Sequence, residues 1–238
     1  GYAQAALDQI NDALTSFHRA FDLYTSMGNV PKAVEIASYG HSGYLIPGMS
    51  DVMPRALDLV DPDSHDAGNI LANYGYALGA TGDGLDSGLA ALERALAISK
   101  HENDKVLEAR TQANMANVYG FHLHWEECLN AGSRAIELCM ALDDFQSEMR
   151  ARIWVATAFI ANGDPEQASF HSEQMLELAE RRRDRTWISR TFQRVLIVEV
   201  ARGDWNSARE VCRRYPFGLA ISVTMFIDLW WVMPTSVT

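Results

Sequence analysis

The chain has 238 residues, 48% hydrophobic and 21% charged, with 31 acidic side chains against 20 basic ones and a formal net charge of −11. That composition is ordinary for a protein able to bury a core, and the acidic balance argues against nonspecific binding to DNA, RNA or an anionic membrane, which needs a cationic footprint, while leaving room for a local basic stripe. The three cysteines, Cys128, Cys139 and Cys212, form no CxxC pair and suit a reducing compartment better than a disulfide framework, so a cytoplasmic location is expected.

In chain order, the first stretch, GYAQAALDQINDALTSF, is amphipathic at helical spacing and lacks a basic segment followed by an apolar one. No signal peptide is therefore expected, and the chain reads as a piece of something longer. Breakers rich in Asp, Asn, Gly and Pro then punctuate the sequence in two interleaved sets. One set is SMGN at 26–29, DPDS at 61–64, HEND at 101–104, LDD at 142–144 and RRD at 182–184. The other is IPGMS at 46–50, TGDGLD at 81–86, FHLHW at 121–125, NGDPE at 162–166 and RGDWN at 202–206.

Between breakers, apolar residues recur at three- and four-residue steps, as Val106, Leu107, Ala109, Ala113, Ala116 and Tyr119 do. The spacing predicts helices over 3–27, 31–45, 50–60, 65–81, 86–100, 104–121, 125–142, 145–162, 165–182, 185–202 and 205–214. Pro216 stops the last of them. Beyond it, FGLAISVTMFIDLWWVM at 217–233 is apolar but broken by Gly218 and Asp228, and falls short of the roughly 20 residues that span a bilayer. No membrane anchor is expected, and period-two alternation is seen only weakly in this tail.

One phrase recurs: RAFDL, RALDL, RALAI, RAIEL and QMLEL begin at Arg19, Arg55, Arg94, Arg134 and Gln174, at steps of 36, 39, 40 and 40. Two breakers per repeat mean two helices per repeat, and each pair alone would leave its apolar face half wet, so neighbours must stack. Ala56, Leu57, Ala95, Leu96, Ala135 and Ile136 are expected to face the stack, with the leading arginines on a solvated face. Small residues mark close approach: Gly75, Ala116 and Ala156 on first helices, and Gly88, Cys128, Ala168 and Ala208 on second ones.

The small–aromatic pairs Ala116/Tyr119 and Ala156/Phe159, with the turns NGDPEQA and RGDWNSA, resemble the tetratricopeptide repeat over roughly 30–214. The resemblance implies an all-α fold, a right-handed α-solenoid of antiparallel helix pairs over 1–214, with the status of residues 215–238 open. The period is nearer 40 than the usual 34 or so, similar to the C-terminal repeat regions of MalT-like and LuxR-type bacterial transcriptional regulators and of ATPase-linked nucleotide cyclases. LERALAIS, HWEECL, AIELCMALDD and GDWNSARE read like such regions. That implies the sensory or scaffolding portion of a larger regulator, without its ATPase or DNA-binding part.

Catalytic signatures are weak. GATGDGLDSG at 79–88 has neither the preceding strand and GxGxxG spacing of a dinucleotide loop nor the GK[ST] of a Walker loop. GHSGY at 40–44 departs from the GxSxG elbow at Tyr44, and DLVDPDSHD at 58–66 lacks the pattern of a calcium loop. His122, His124 and Cys128 offer three zinc ligands where about four are needed. RRRDR at 181–185 sits where a helix C-terminus favours cations. No catalytic, cofactor or metal residue is assigned, and the chain is expected not to be an enzyme.

One periodic feature points to binding. Arg110, Arg150 and Arg190 are spaced by 40 and 40 on the first helices of their pairs. By the resemblance first helices line a concave groove, so these arginines would stack there, neighboured by Tyr76, Asn114, Asn117, Thr157, Gln193 and Arg194. Such a groove suits an acidic peptide or an anionic small effector, because guanidinium offers a planar fork of donors to carboxylate. The alternative is that each arginine pairs with a Glu or Asp of an adjacent helix and only stabilises the stack. Three functions follow: a noncatalytic binding module, a purely structural spacer or oligomerisation arm, and, more remotely, a metal-dependent hydrolase using His122, His124 and Cys128.

Overall fold

A computed structural model describes residues 1–6, 9–39 and 48–214. GHSGY at 40–44, the end of the helix predicted over 31–45, Pro216 and the 215–238 tail lie outside the described residues. Within them the fold is all-α, with no strand. The helices are α1 (Tyr2–Ala6), α2 (Ile10–Ser26), α3 (Val30–Ala37), a 3-10 turn (Met49–Asp51), α4 (Met53–Leu57), α5 (His65–Gly79) and α6 (Leu85–His101). Then come α7 (Lys105–Phe121), α8 (Trp125–Leu142), α9 (Phe145–Ala161), α10 (Pro165–Arg182), α11 (Arg185–Arg202) and α12 (Trp205–Arg214). The pairs α5/α6, α7/α8, α9/α10 and α11/α12 are the predicted repeats. The chain forms two compact units, 1–154 and 155 onward.

From α5 on, the observed bounds lie within two residues of those predicted, because the starts and stops are written locally. Ser64 and Asp104 cap α5 and α7, accepting from the Ala67 amide at 3.2 Å and from the Val106 and Leu107 amides at 3.0 Å. Asp144, Asp164, Asp184 and Asp204 do the same for α9 to α12. The stops are as regular: Asn103, Leu123, Asp143, Gly163, Arg183 and Gly203 all take positive φ, between 52° and 77°, at steps of twenty residues.

Leu123 is the outlier in that series, an exposed leucine at φ 64° where Gly163 and Gly203 sit forty and eighty residues later. Left-handed backbone costs a residue with a Cβ roughly 1–2 kcal/mol. Leu123→Gly is therefore expected to stabilise the chain by about 1 kcal/mol, since the strain relieved exceeds the extra freedom gained by the unfolded state. A chemical-denaturation midpoint that falls instead of rising would contradict this.

The N-terminal region departs from prediction. The helix expected over 3–27 is two, α1 and α2, with Gln9 outside both at φ −82°, ψ 64°. In one straight helix Tyr2 and Phe17 would stand about 22 Å apart. Instead α1 lies back on α2, with the Tyr2 ring edge-on to Phe17 at 5.3 Å and to Tyr39 at 4.8 Å, and Ser16 donating to Gln4 Oε1 at 2.7 Å. These ring contacts, made by a Tyr2 that stays part-exposed, hold α1 against α2 in place of one continuous helix. α3 stops at Ala37, and the freed Ser38 carbonyl accepts from Asn73 at 2.8 Å. The helix expected over 50–60 is a 3-10 turn followed by a short α4, because Pro54 tolerates only the first turn of an α-helix.

In the first unit, one core gathers Ala13, Phe17, Phe21, Ile36, Met49, Met53 and Ile70, and another Ala67, Leu71, Ala95, Ile98 and Leu107. In the second, Ala156, Ala168 and Val198 pack together with Phe159 and Ile160. The predicted small residues are all buried, and Gly75 and Gly88 bring α5 and α6 into backbone contact. The leading arginines of the recurrent phrase are not simply solvated. Arg55 pairs with Asp22 at 2.7 Å and lies over the Phe21 ring, and Arg94 donates to the Pro62 carbonyl at 3.0 Å. Arg134 bridges Glu137 at 2.7 Å and the buried Glu108 at 3.0 Å. Burial pushes the Glu108 carboxyl up, but its bonds from Lys105 and Arg134 outweigh this and hold it below the usual carboxylate range.

Candidate functional site

Three helices that precede a partner in the chain, α3, α5 and α7, enclose a cleft of about 580 Å³ in the first unit. Pro31, Val34, Glu35 and Ser38 line it from α3 and its cap; His65, Asp66 and Asn69 from α5; and Asp104, Val106, Leu107 and Arg110 from α7 and its cap.

Its wall carries a continuous hydrogen-bond circuit. Arg110 Nη1 donates to Asn69 Oδ1 at 2.9 Å, and Asn69 Nδ2 donates to His65 Nε2 at 2.7 Å. His65 Nδ1 stands 2.7 Å from Asp104 Oδ2, while Asp104 Oδ1 caps α7. One proton arrangement satisfies every member: a neutral His65 with its proton on Nδ1, donating to Asp104 and accepting from Asn69. Among the described residues no carboxylate lies within ion-pair distance of Arg110; its partner is a neutral amide. Opposite, Glu35 accepts from Lys32 at 2.6 Å and from the Tyr2 hydroxyl at 3.0 Å. The Lys32 hydrogen bond first, then that of Tyr2, holds the Glu35 carboxyl below its ordinary range. Burial, reinforced by Glu35, pushes the Tyr2 phenol up to about 12. Asp66 is exposed in the first turn of α5, where the helix dipole favours a carboxylate.

Of the predicted groove residues, Arg110 lines this cleft. Asn114 is fully buried between helices: its Nδ2 donates to the Ala72 carbonyl of α5 at 2.8 Å and its Oδ1 accepts from Arg150 of α9. Tyr76, Asn117 and Arg150 are likewise buried, each less than a tenth exposed. In the second unit Arg194 donates to Thr157 Oγ1 at 3.0 Å, the Arg190 guanidinium lies 5.2 Å from the Trp187 ring centroid, and Gln193 is half-buried on α11. Two of the regular arginines bond an amide, Arg110 that of Asn69 and Arg150 that of Asn114.

Sequence reasoning missed His65, Asn69 and Asp104. The i, i+4 spacing of His65 and Asn69 at the start of a first helix, 40 residues ahead of Lys105 at the start of the next, was the available signal.

The remaining motifs are structural in placement. His122 bonds the Gly79 carbonyl at 2.9 Å, His124 stands 3.9 Å from Glu127, and the Cys128 thiol is buried 3.6 Å from the Trp154 carbonyl. Burial pushes the Cys128 thiol up to about 12, so it stays protonated and poorly nucleophilic. Among the described residues no group of three or more His, Cys, Asp or Glu side chains is placed to hold a metal ion. Arg181 and Arg182 occupy the last turn of α10, and Arg183 its left-handed cap. Among the described residues no helix is long and apolar enough to cross a membrane.

No family model matches the sequence, and no curated protein matches it. Solved structures do. The chain is similar to the nearly identical TPR-like repeats of a protein from Podosopora anserina described as a kinesin light chain, with a TM-score of 0.56 and 17% identity over 88% of this chain and 96% of that one. A point variant of the same repeats gives a TM-score of 0.57 and 17% identity over 89% and 96% of the two chains. The fold is therefore that of the tetratricopeptide-repeat-like helical solenoids.

Proposed function

We propose that residues 1–214 serve as a noncatalytic scaffold or sensor module that binds a protein segment in the α3/α5/α7 cleft. The module belongs to a larger cytoplasmic regulator, of the kind represented by MalT-like and LuxR-type bacterial proteins, whose repeat regions the sequence resembles. The observation that carries the binding reading is Arg110: a guanidinium on a cleft wall whose bond goes to a neutral amide, so no carboxylate of the described residues cancels its charge and an incoming carboxylate need only displace an amide. Glu35, Asp66 and Asp104 around it would repel a run of acids. The best-fitting segment presents one carboxylate to Arg110 and apolar side chains to Val34, Val106 and Leu107. A small anionic effector is the second reading, favoured by a cleft volume of about 580 Å³, within the roughly 300–1,000 Å³ range of small-molecule sites.

The test is NMR titration of the full chain with the capped tetrapeptide Leu-Val-Glu-Leu and its Gln counterpart. The Glu peptide is expected to bind about tenfold more tightly, with shifts at the cleft, and Arg110→Met is expected to erase that preference while leaving amide signals outside the cleft in place. Equal weak binding of both peptides to the native chain would discard the reading and favour the spacer or oligomerisation arm. Arg150→Glu is unsuited to this test, because Arg150 is buried against Asn114.

A further inference from the structure

The circuit on the cleft wall has only one proton arrangement that satisfies all its members, and adding one proton breaks it at a defined place. We propose that His65 is a proton switch that determines whether Arg110 is tied to Asn69 or free to take a ligand carboxylate; this rests on the reading of the cleft as a carboxylate-binding site.

In the neutral ring, Nε2 is the acceptor for Asn69 Nδ2 at 2.7 Å. Protonation places a hydrogen there, so two N–H donors face each other across that distance. The ring does not simply leave: its Nδ1 is 2.7 Å from Asp104 Oδ2, and that bond strengthens when the imidazole gains charge. Asn69 is the member that yields. Its amide gives up the 3.3 Å bond from Nδ2 to the His65 carbonyl and turns to offer Oδ1 to His65 Nε2–H, which points Nδ2 at Arg110 Nη1, a second donor–donor clash. Arg110 then gives up Asn69 and swings toward the cleft.

The charged groups that line the cleft with His65 are Asp66 on its own helix, Asp104 and Arg110 from α7 and its cap, and Glu35 from α3, itself paired with Lys32. With the ring neutral the lining charges, Glu35, Asp66, Asp104 and Arg110, sum to −2; with it charged they sum to −1, so the same proton that frees Arg110 also lessens the net repulsion of an anion. The sign follows: affinity for a carboxylate rises as pH falls and His65 takes up its proton.

The experiment measures the affinity of the capped Leu-Val-Glu-Leu peptide, corrected for its Gln counterpart, at about pH 7.5 and about pH 5.8, where a glutamate side chain stays largely ionised. The ¹⁵N-labelled full chain is used as native, His65→Gln and Asn69→Ala. Native protein is expected to bind about tenfold more tightly at the lower pH. His65→Gln is expected to lose that dependence, and Asn69→Ala to bind tightly at both pH values because Arg110 is never tied. A native affinity that ignores pH, or an undiminished pH response in His65→Gln, overturns the proposal. If the peptide binds at neither pH, the cleft reading fails and the side-chain resonances decide the switch. Asn69 amide and Arg110 Nε signals that move with the His65 titration sustain it, and signals that stay still overturn it.

Discussion

Gly88→Ala is expected to destabilise the first unit by about 3 kcal/mol, read as a lower midpoint in urea denaturation. In a free helix the same change would stabilise by roughly 1 kcal/mol, because glycine is the poorer helix former. What reverses the sign is backbone. A Cβ at Gly88 would lie 2.6 Å from both the Cα and N of Gly79 and 2.8 Å from the Gly75 carbonyl oxygen. None of these can rotate aside as a side chain would, so α5 and α6 must separate and the packing of Leu92 and Ala95 behind them loosens. Overpacking typically costs about 1–3 kcal/mol, and with no side chain to yield the upper end applies. Gly82→Ala is the control: nothing lies within 4 Å of its Cβ position, and its effect is expected to be near zero. A Gly88→Ala midpoint at or above that of the native chain would show that the two helices meet less closely than described.

Asn114→Ala is expected to cost a similar amount, about 3 kcal/mol, through lost polar contacts. Asn114 is fully buried on α7 and ties helices on either side, donating to the Ala72 carbonyl of α5 and accepting from the Arg150 guanidinium of α9. A neutral hydrogen bond contributes about 0.5–1.5 kcal/mol and one to a charged group about 1.5–3 kcal/mol, and removing the amide also strips a buried cation of an acceptor. Asn114→Asp separates the two bonds: it keeps the acceptor for Arg150 but sets a carboxylate without a donor against the Ala72 carbonyl. Hydrogen exchange is expected to speed up in α5 and α7 for the alanine variant. Unchanged protection there would mean that the amide is dispensable to the stack.

The legibility of this chain divides where local and nonlocal physics divide. The Asp caps at 104, 144, 164, 184 and 204, and the left-handed stops between them, are set by residues a few positions away, so the sequence displays them and α5 to α12 fall where predicted. The α1–α2 break was not visible, because it depends on Tyr2 meeting Tyr39, which only the folded chain brings together. The period of Arg110 and Arg150 was visible, but their different fates were not. Arg110 meets Asn69 at the half-exposed wall of a cleft, while Arg150 meets Asn114 under cover, and neither asparagine shares the arginines' 40-residue step. The cleft draws on three separate segments, 31–38, 65–69 and 104–110, which no single window of sequence joins.

The left-handed stops every twenty residues carry one more consequence, for how such a chain can grow. Each joint from α6 to α12 is two or three residues long, so one residue added to a helix would turn everything after it by about 100° and part each Asp from the amides it caps. Growth in this region is quantised, a whole helix pair at a time. The exception is the stretch between Gly79 and Leu85, a five-residue joint with open space around Gly82. There the chain has slack, and there an inserted peptide tag or reporter has room without disturbing the count.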